Sequence, residues 1–203
     1  MMAERAPTRS SGTTSTPGSV TALTFVSTNP GKFREVQSVL APFEVRTRWR
    51  RRTLPEPQAD TLEEVVAAKL AAVRDIPGYV LVEDSGLFIS SLNGFPGVYS
   101  AHFLKTWKFG PILELLEHRA RTASFRTVAG LQRGRRRWMF TGEVTGSIAN
   151  RPRGRNGFGY DPIFVPKGYT RTFAELPTDL KNALSHRGRA VVQVGEMLRA
   201  RAR

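Results

Sequence analysis

The sequence predicts an α/β protein in which a mixed, twisted β-sheet is flanked by helices and a cleft separates two lobes. The first supporting observation is the apolar, β-branched run Val20 to Ser27, which is typical of a buried strand. Lys32 to Leu40 follows with apolar residues at helical spacing. Further on, the strand-like runs Thr122 to Leu131 and Arg136 to Ile148 are joined by a short turn, as in an antiparallel hairpin. Parallel units are therefore expected to lead into an antiparallel portion.

Shorter elements are expected between these two parts. Phe43 to Thr47 is interpreted as a second strand. A helix is predicted to begin near Thr61, because the sequence TLEE has the form of a capping box, and to end near Arg74. Tyr79 to Val82 and Leu87 to Ser90 are predicted as two short strands on either side of the segment EDSG.

The rest of the chain predicts two further helices and one further strand. The segment NGFPGVYS is expected to be a turn-rich loop, and Ile112 to His118 to be helical. Arg151 to Asp161 is rich in Gly and Arg and predicts a loop, which Pro162 to Val165 follows as a short strand. Ser185 can cap a final helix that runs through Arg199.

Composition limits the class of protein. With 203 residues, of which 40% are apolar, the chain is long enough to bury the core of one domain. Residues 1–19 are expected to form a flexible basic tail and residues 20–203 a single domain. No apolar run is long enough for a transmembrane helix, and the N-terminal segment lacks the apolar stretch of a secretory signal. We therefore expect a cytoplasmic protein without a membrane partner.

The chain contains no cysteine, which excludes disulfides, thiol nucleophiles and Cys-ligated zinc. Its three histidines, His102, His118 and His186, are scattered and do not have metal-ligand spacing. A metal ion would therefore be held by carboxylates, which favours Mg²⁺, with Mn²⁺ as the alternative.

The formal net charge of +14 is high, and most of the positive residues are arginine. Such a charge attracts polyanions, either nucleic acid or free nucleotides. Arginine-rich decoration of an ordinary protein surface is an equally good interpretation, so the charge alone does not decide between them.

The first candidate functional segment is STNPGK, Ser27 to Lys32, between the first strand and the first helix. Backbone N–H groups at a helix N-terminus, two hydroxyls, an amide and a lysine can together bind phosphate. The segment lacks the spacing of a Walker loop, and an ordinary Asn-Pro-Gly turn that caps a helix explains it equally simply.

The second segment is EDSGL, where Glu83 and Asp84 are adjacent carboxylates. Because successive strand side chains point to opposite faces, the two are not expected to face the same cleft. One carboxylate at a strand end beside a phosphate loop can bind magnesium and orient or deprotonate water. The alternative is a turn in which Asp84 caps nearby N–H groups.

The third segment is GFGYDPIF, a glycine-rich loop that carries Phe158, Tyr160 and Asp161. Either aromatic ring can stack on a flat base while the aspartate accepts hydrogen bonds from base N–H groups. Aromatic residues in such a loop also commonly do no more than fill the core.

The fourth segment is KNALSHRGRA, from Lys181 to Ala190, at the start of the last helix. It is more polar than the start of a helix requires, and His186 and Arg187 are interpreted as donors directed at a ligand. A solvated helix face, with Ser185 as a simple cap, is the alternative.

In this order, the four segments resemble the inosine triphosphate pyrophosphatase family, also called the HAM1-like family. The similarity runs from about Leu23 to Leu198, and the strings STNPGKFREV, VEDSGLFISSLNGFPGVYSAHF, GFGYDPIFVP, TFAEL and KNALSHRGRA are written as in that family. The resemblance implies an elongated α/β catalytic domain with a deep interlobe cleft, usually a homodimer. It also implies magnesium-dependent hydrolysis of ITP, dITP and XTP to monophosphate and pyrophosphate, which removes non-standard purines from the nucleotide pool.

The resemblance also implies roles for individual residues. Glu56 and Asp84 match the family's metal ligands, and Asp84 its proposed proton acceptor. Lys69 matches a lysine that contacts phosphate, and Ser85 a residue that contacts the substrate. The remaining substrate-binding residues are Ser27, Thr28, Asn29, Pro30, Gly31 and Lys32 for the triphosphate, and Phe158, Gly159, Tyr160, Asp161, Lys181, His186 and Arg187 for the base.

Three other functions are kept as alternatives. The net charge and the segment RGRRRW, Arg133 to Trp138, favour a nucleic-acid-binding module. A Maf-like nucleotide pyrophosphatase would have a related fold and a different base specificity. A phosphatase would release single phosphates instead of pyrophosphate.

Overall fold

A computed structural model describes residues 21–202 of the chain. Within this range the strands are β1 (Ala22–Val26), β2 (Arg46–Arg50), β3 (Tyr79–Ile89), β4 (Pro96–Gly97), β5 (Thr122–Arg133), β6 (Arg136–Ile148) and β7 (Phe164–Pro166). The helices are α1 (Pro30–Leu40), α2 (Leu62–Ala72), α3 (Ser100–Trp107), α4 (Gly110–Leu115), α5 (Thr178–Leu184) and α6 (His186–Ala202). The expected tail, residues 1–19, and the first residue of the expected first strand, Val20, lie outside the described residues.

The strands form one seven-stranded mixed sheet in the order β2-β1-β3-β5-β6-β7, and β4 pairs with β3 beside this path. β1 pairs in parallel with both β2 and β3. From β3 onward the pairings with β5, β6 and β7 are antiparallel. The predicted α/β class and the predicted change from parallel to antiparallel strands are therefore confirmed.

Two predicted strand assignments are wrong. The second strand begins at Arg46 instead of Phe43, because Ala41–Phe43 forms a 3₁₀ turn and Glu44 takes a left-handed φ of 57°. The two short strands around EDSG are one continuous strand, since β3 pairs with β5 at every residue from Tyr79 to Ile89. The sequence also gave no indication of α3 and α5, whereas the cap by Ser185 and the capping box at Thr61 are present.

Three apolar clusters hold the sheet and the helices together. On one face α1 and α6 pack against Phe25, Leu81 and Leu131. On the other face α2 packs against Val80, Val82 and Val128. The third cluster, which includes Leu87 and Phe125, surrounds the other end of β3.

The polar stretch of β3 from Glu83 to Gly86 lies between the buried apolar residues of these clusters, where it interrupts the core. This interruption marks the position of the candidate site. Among residues 21–202, none of the helices combines the length and the apolar character that crossing a bilayer requires.

Candidate active site

Two adjoining cavities lie around the polar stretch of β3. The first has a volume of about 380 Å³, and its lining includes Asn29, Lys32 and Ser85 together with Phe158, Gly159, Tyr160, Asp161, His186 and Arg187. The second has a volume of about 280 Å³, and its lining includes Glu56, Asp84 and His102. Both cavities are lined by Lys32 and Ser85, so the two form one continuous cleft with a common wall.

The turn between β1 and α1 forms one wall of the cleft. Asn29 is the N-cap of α1, and its Oδ1 accepts hydrogen bonds from the N–H groups of Gly31 at 2.8 Å and Lys32 at 3.2 Å. Ser27 Oγ in turn accepts from the N–H of Asn29 at 3.1 Å. The turn is therefore rigid, and it directs Lys32 into the cleft. Thr28 and Pro30 are exposed beside it.

Lys69, which matches the family's phosphate-contacting lysine, is buried next to Asp84 and Glu56, two residues that line the second cavity. Its Nζ is 2.6 Å from Asp84 Oδ1 and 3.4 Å from Glu56 Oε1. The same ammonium group thus contacts two distant segments of the chain. Glu56 lies in the loop before α2 and Asp84 in the middle of β3, 28 residues later. The side chain of Glu56 remains 68% exposed, so it can turn toward the cavity.

The protonation states of Lys69 and Asp84 favour a further positive charge next to Asp84. Burial lowers the pKa of Lys69, but the neighbouring carboxylates Asp84, Glu83 and Glu56 together raise it above its ordinary value, so Lys69 is an ammonium ion. Burial raises the pKa of Asp84 above its ordinary value, even though Lys69 and Lys32 act in the opposite direction. The negative charge of Asp84 is therefore incompletely compensated, and a divalent cation would stabilise it.

The donor set fits a divalent metal ion. Glu56 and Asp84 provide carboxylate oxygens, the ligands that Mg²⁺ and Mn²⁺ prefer. Residues 21–202 contain no group of three or more acidic or histidine side chains arranged as a complete metal site. The remaining ligands would thus come from phosphate and water, as is usual for Mg²⁺ at nucleotide sites.

A row of buried ion pairs connects the phosphate side of the cleft to the loop between β6 and β7. The row runs in the order Lys32, Glu83, Arg187, Glu35, Lys181 and Asp161. Positive and negative groups alternate along it, so each buried charge is compensated by a neighbour.

Glu83 and Glu35 are the two acidic members that hold this row together. Glu83 contacts Lys32 Nζ at 2.5 Å, Arg187 Nη2 at 3.4 Å and the hydroxyl of Ser85 at 2.7 Å. Glu35 accepts from Lys181 and, at 2.6 Å, from Arg187 Nη1. Burial opposes ionisation, but the neighbouring cations hold the pKa of both carboxyls below its ordinary value.

Sequence reasoning missed both of these residues as members of the site. Glu83 was set aside in favour of Asp84, and it does point to the other face of β3, where it binds Lys32 and Arg187. A signal for Glu35 was present, because a residue four positions after Gly31 lies on the same face of α1 as the phosphate turn. The buried residues of α1 indeed include both Gly31 and Glu35.

The loop between β6 and β7 places its two aromatic residues differently. Tyr160 is buried in the core near Phe125, and its hydroxyl donates to the carbonyl of Ser100 at 2.9 Å. Of the two rings that were expected to be able to stack on a base, only Phe158 remains a candidate, because it is half-buried at the cavity. Tyr160 only contributes to the cavity lining.

Phe158 lies over two of the three cations of the row. Its ring centroid is 5.1 Å from Lys181 Nζ and 5.3 Å from Arg187 Cζ. The same ring contacts the phosphate turn, where a Cβ at Gly31 would be 2.6 Å from its Cδ1. Asp161 fixes the loop, because its Oδ2 accepts from the N–H of Phe158 at 2.8 Å and lies 3.1 Å from Lys181 Nζ.

His186 forms the inner wall of the first cavity. Its ring stacks on Phe125 at a centroid distance of 4.5 Å and an interplanar angle of 11°. Burial and the nearby cations lower the pKa of His186 well below its ordinary value, so the imidazole is neutral. Its Nδ1 is buried and has no partner among the described residues. A neutral imidazole has one donor and one acceptor nitrogen, which suits recognition of a base edge.

Comparison with known protein families and structures gives a consistent result. The Ham1 family matches residues 23–197 of the chain. A dITP/XTP pyrophosphatase of Thermococcus kodakarensis is 47% identical over 180 residues, which cover 87% of this chain and 97% of that protein. A protein of the same name from Pyrococcus horikoshii is 44% identical and covers 86% and 95% of the two chains.

Solved structures agree with these sequence relatives. A HAM1 protein from Coxiella burnetii superimposes with a TM-score of 0.75 at 32% identity, over 88% of this chain and 98% of that one. The Ham1 protein of Staphylococcus aureus gives a TM-score of 0.74 at 28% identity, over 89% and 99% of the two chains.

Proposed function

The chain belongs to the Ham1 family, and from this premise we propose that it hydrolyses non-standard purine nucleoside triphosphates, among them dITP, ITP and XTP, to the monophosphate and pyrophosphate. The observation that carries the proposal is the continuous cleft. One part presents an aromatic ring, a neutral histidine and a buried arginine, and the other part presents two carboxylates and Lys32, with Lys69 buried against those carboxylates. A purine and a triphosphate require this combination of groups.

The second cavity would hold the triphosphate and a magnesium ion. Glu56 and Asp84 are the proposed metal ligands, and the ion would supply positive charge for the departing pyrophosphate and acidify a bound water. Lys32 and Lys69 are proposed to bind the phosphates. Both lysines are paired with carboxylates in the described structure, at 2.5 and 2.6 Å, and the triphosphate would take over part of this pairing. Their charges are therefore already positioned, which reduces the cost of reorganisation on binding.

Asp84 is also the proposed proton acceptor for the attacking water. It is buried beside Lys69, and its raised pKa makes it a stronger base than an exposed aspartate. The attacking water would approach the α-phosphorus from the side of Asp84, and the bond between the α- and β-phosphates would break with pyrophosphate as the leaving group.

The first cavity would select the base. Phe158 is proposed to stack on the purine, while Lys181, His186 and Arg187 provide hydrogen-bond donors near it. Hypoxanthine and xanthine present an oxygen at position 6 and a protonated N1, whereas adenine presents an amine and an unprotonated N1. A donor left unpaired by adenine costs roughly 1 to 3 kcal/mol, so ATP should be rejected.

The proposal includes a homodimer that acts in the cytoplasm. A second copy could cover the exposed aromatic residues Phe95, Tyr99 and Trp107, whose side chains are 39%, 45% and 59% exposed. The absence of cysteine from the whole sequence agrees with a reducing compartment.

The proposed function is tested by one assay with magnesium and the five substrates ITP, XTP, GTP, ATP and dTTP, in which pyrophosphate and orthophosphate are resolved. We expect pyrophosphate from ITP and XTP, at rates roughly a hundredfold or more above that with ATP. Comparable hydrolysis of ATP would contradict the assignment of the base pocket. Orthophosphate as the first product would indicate a phosphatase, and preferential hydrolysis of dTTP a Maf-like specificity.

A further inference from the structure

An exposed arginine surface lies at one end of the sheet, away from the cleft. It consists of the tip of the β5–β6 hairpin and the last turns of α6, with the exposed residues Arg133, Arg135, Arg136, Arg137, Arg199 and Arg201. Neither the metal site nor the base pocket includes any of these residues. The surface contains the segment RGRRRW, for which the pyrophosphatase reaction gives no explanation.

Contacts between elements bring these arginines together. In the sheet Arg133 is paired directly with Arg136 on one side and with Tyr79 on the other. Arg201 lies over the ring of Trp138, with its Cζ 4.9 Å from the centroid, so the end of α6 is next to the hairpin.

Three of the six arginines of this surface contact aromatic rings instead of carboxylates. Arg133 lies 4.8 Å from the ring of Tyr79, and Arg199 lies 5.5 Å from the ring of Phe43. Among residues 21–202 none of the six forms an ion pair, although Glu44 and Glu196 belong to neighbouring segments. Their N–H donors are thus largely available to an external anion.

Without a bound anion, this arrangement of arginines destabilises the fold. Like charges that face each other across a strand pair, as Arg133 and Arg136 do, destabilise the pair. In the buried cleft of the same protein every cation of the ion-pair row has a carboxylate partner. The surface therefore differs from the ion-pair row of the cleft in lacking carboxylate partners, and a polyanion would provide the missing negative charge.

We propose that the arginine surface binds single-stranded nucleic acid. Guanidinium groups bind phosphates in a bidentate geometry, and both guanidinium planes and half-buried rings such as Trp138 and Tyr79 can stack on unpaired bases. An anionic membrane would also attract arginine, but membrane-binding surfaces carry exposed apolar side chains. Among the large apolar residues that are exposed in residues 21–202, only Met139 lies on the β5–β6 hairpin, whereas Phe95, Tyr99 and Trp107 lie on α3 and the turn before it.

The position of the surface leaves the cleft free. Tyr79 lies four residues before Glu83 on the same strand, which corresponds to about 13 Å along β3. A bound strand at the arginine surface would therefore leave access to the cleft open, and the enzyme would act on free nucleotides while it is held on nucleic acid.

The test is fluorescence anisotropy with a labelled single-stranded oligothymidylate of about 20 nucleotides, titrated with the full chain at several salt concentrations. The test variant carries Arg133→Gln, Arg136→Gln and Arg201→Gln. The matched control carries Arg119→Gln, Arg151→Gln and Arg171→Gln, three exposed arginines on loops outside the surface. Both variants lose the same charge, and hydrolysis of XTP is measured for both as a test of the active site.

We expect the test variant to bind more than about tenfold more weakly and to show a salt dependence less steep by about 2, since each phosphate contact on a single strand contributes about 0.7 to the slope. The control variant should bind like the natural chain, and both should hydrolyse XTP normally. Equal weakening of both variants would overturn the proposal, because binding would then follow net charge alone. Tighter binding to phosphatidylglycerol vesicles through the same arginines would overturn it in favour of a membrane.

If the triple variant lost XTP hydrolysis, the single variant Arg136→Gln would decide, because this side chain makes no hydrogen bond or ring contact among the described residues. A reduced affinity and a less steep salt dependence for this variant would support the proposal, and unchanged binding would overturn it. Neither result depends on whether the chain releases pyrophosphate, so the two proposals fail independently.

Discussion

Glu83 and Asp84 are neighbours in the sequence but have separate tasks in the structure. Glu83 faces Lys32 and Arg187, and Asp84 faces Lys69. The alternation of a β-strand produces this division, because it directs successive side chains to opposite faces of the sheet. Glu83 therefore pairs with cations that line the first cavity, and Asp84 lines the second cavity beside Lys69.

Glu83→Gln should lower the free energy of unfolding by about 3 kcal/mol, because Lys32 and Arg187 would lose a buried counter-charge. Urea denaturation measures this change. Glu143→Gln is the matched control, since Glu143 forms a half-exposed pair with Arg126 and should contribute less than about 1 kcal/mol. Equal effects of the two substitutions would show that the ion-pair row does not stabilise the fold.

At the residue scale, the sequence indicated residues of the cleft where a motif was local, and their binding roles stay predictions. Asn29, Lys32, Ser85 and His186 all line the cleft, as expected. Prediction failed for Glu35, because its place on the same face of α1 as Gly31 does not reveal its partners Lys181 and Arg187, which are about 150 positions away in the sequence. The sequence left open whether Tyr160 stacks on a base or fills the core, because its hydroxyl partner Ser100 is 60 residues away.

The start of α6 is the element whose position the site depends on most. It carries His186 and Arg187, and it lies directly against strand β6. Gly142 makes this close contact, because a Cβ there would be 2.1 Å from the carbonyl oxygen of His186 and 2.6 Å from the N of Ala190. Both neighbours are backbone atoms, so the helix could accommodate a side chain only by moving.

Gly142→Ala should therefore displace the start of α6, lowering kcat/KM for XTP about tenfold and the stability by roughly 1 to 3 kcal/mol. Thermal denaturation and steady-state kinetics measure the two effects. Gly110→Ala is the matched control, since a Cβ at Gly110 would meet no atom within 4 Å. A Gly142→Ala variant with unchanged stability and kinetics would show that α6 does not depend on this contact.

At the scale of elements, the sequence predicted those with strong periodicity or a cap. The helix after Thr61 and the β5–β6 hairpin are found with nearly the expected boundaries. β3 was divided in error because the polar residues EDSG resemble a turn, whereas continuous pairing with β5 keeps them extended. Tertiary pairing thus overrode local preference at the functional site, where such conflicts are expected.

The whole molecule separates its positive charge into two environments. In the cleft, Lys69 and the three cations of the ion-pair row are each compensated by a buried carboxylate. On the surface, much of the +14 charge is uncompensated. The composition predicted an affinity for polyanions but not the surface that would bind them. That surface depends on which arginines are exposed and which are paired with carboxylates.

The central claim is that Asp84, together with Glu56, holds a divalent cation beside the pocket for an oxopurine. Pyrophosphate release from XTP in the presence of magnesium, compared between the natural chain and Asp84→Asn, tests it most directly. We predict that Asp84→Asn lowers the rate by at least about a thousandfold while the protein stays folded, and that the control Glu143→Gln keeps the natural rate. A folded Asp84→Asn variant with a near-natural rate would contradict the claim.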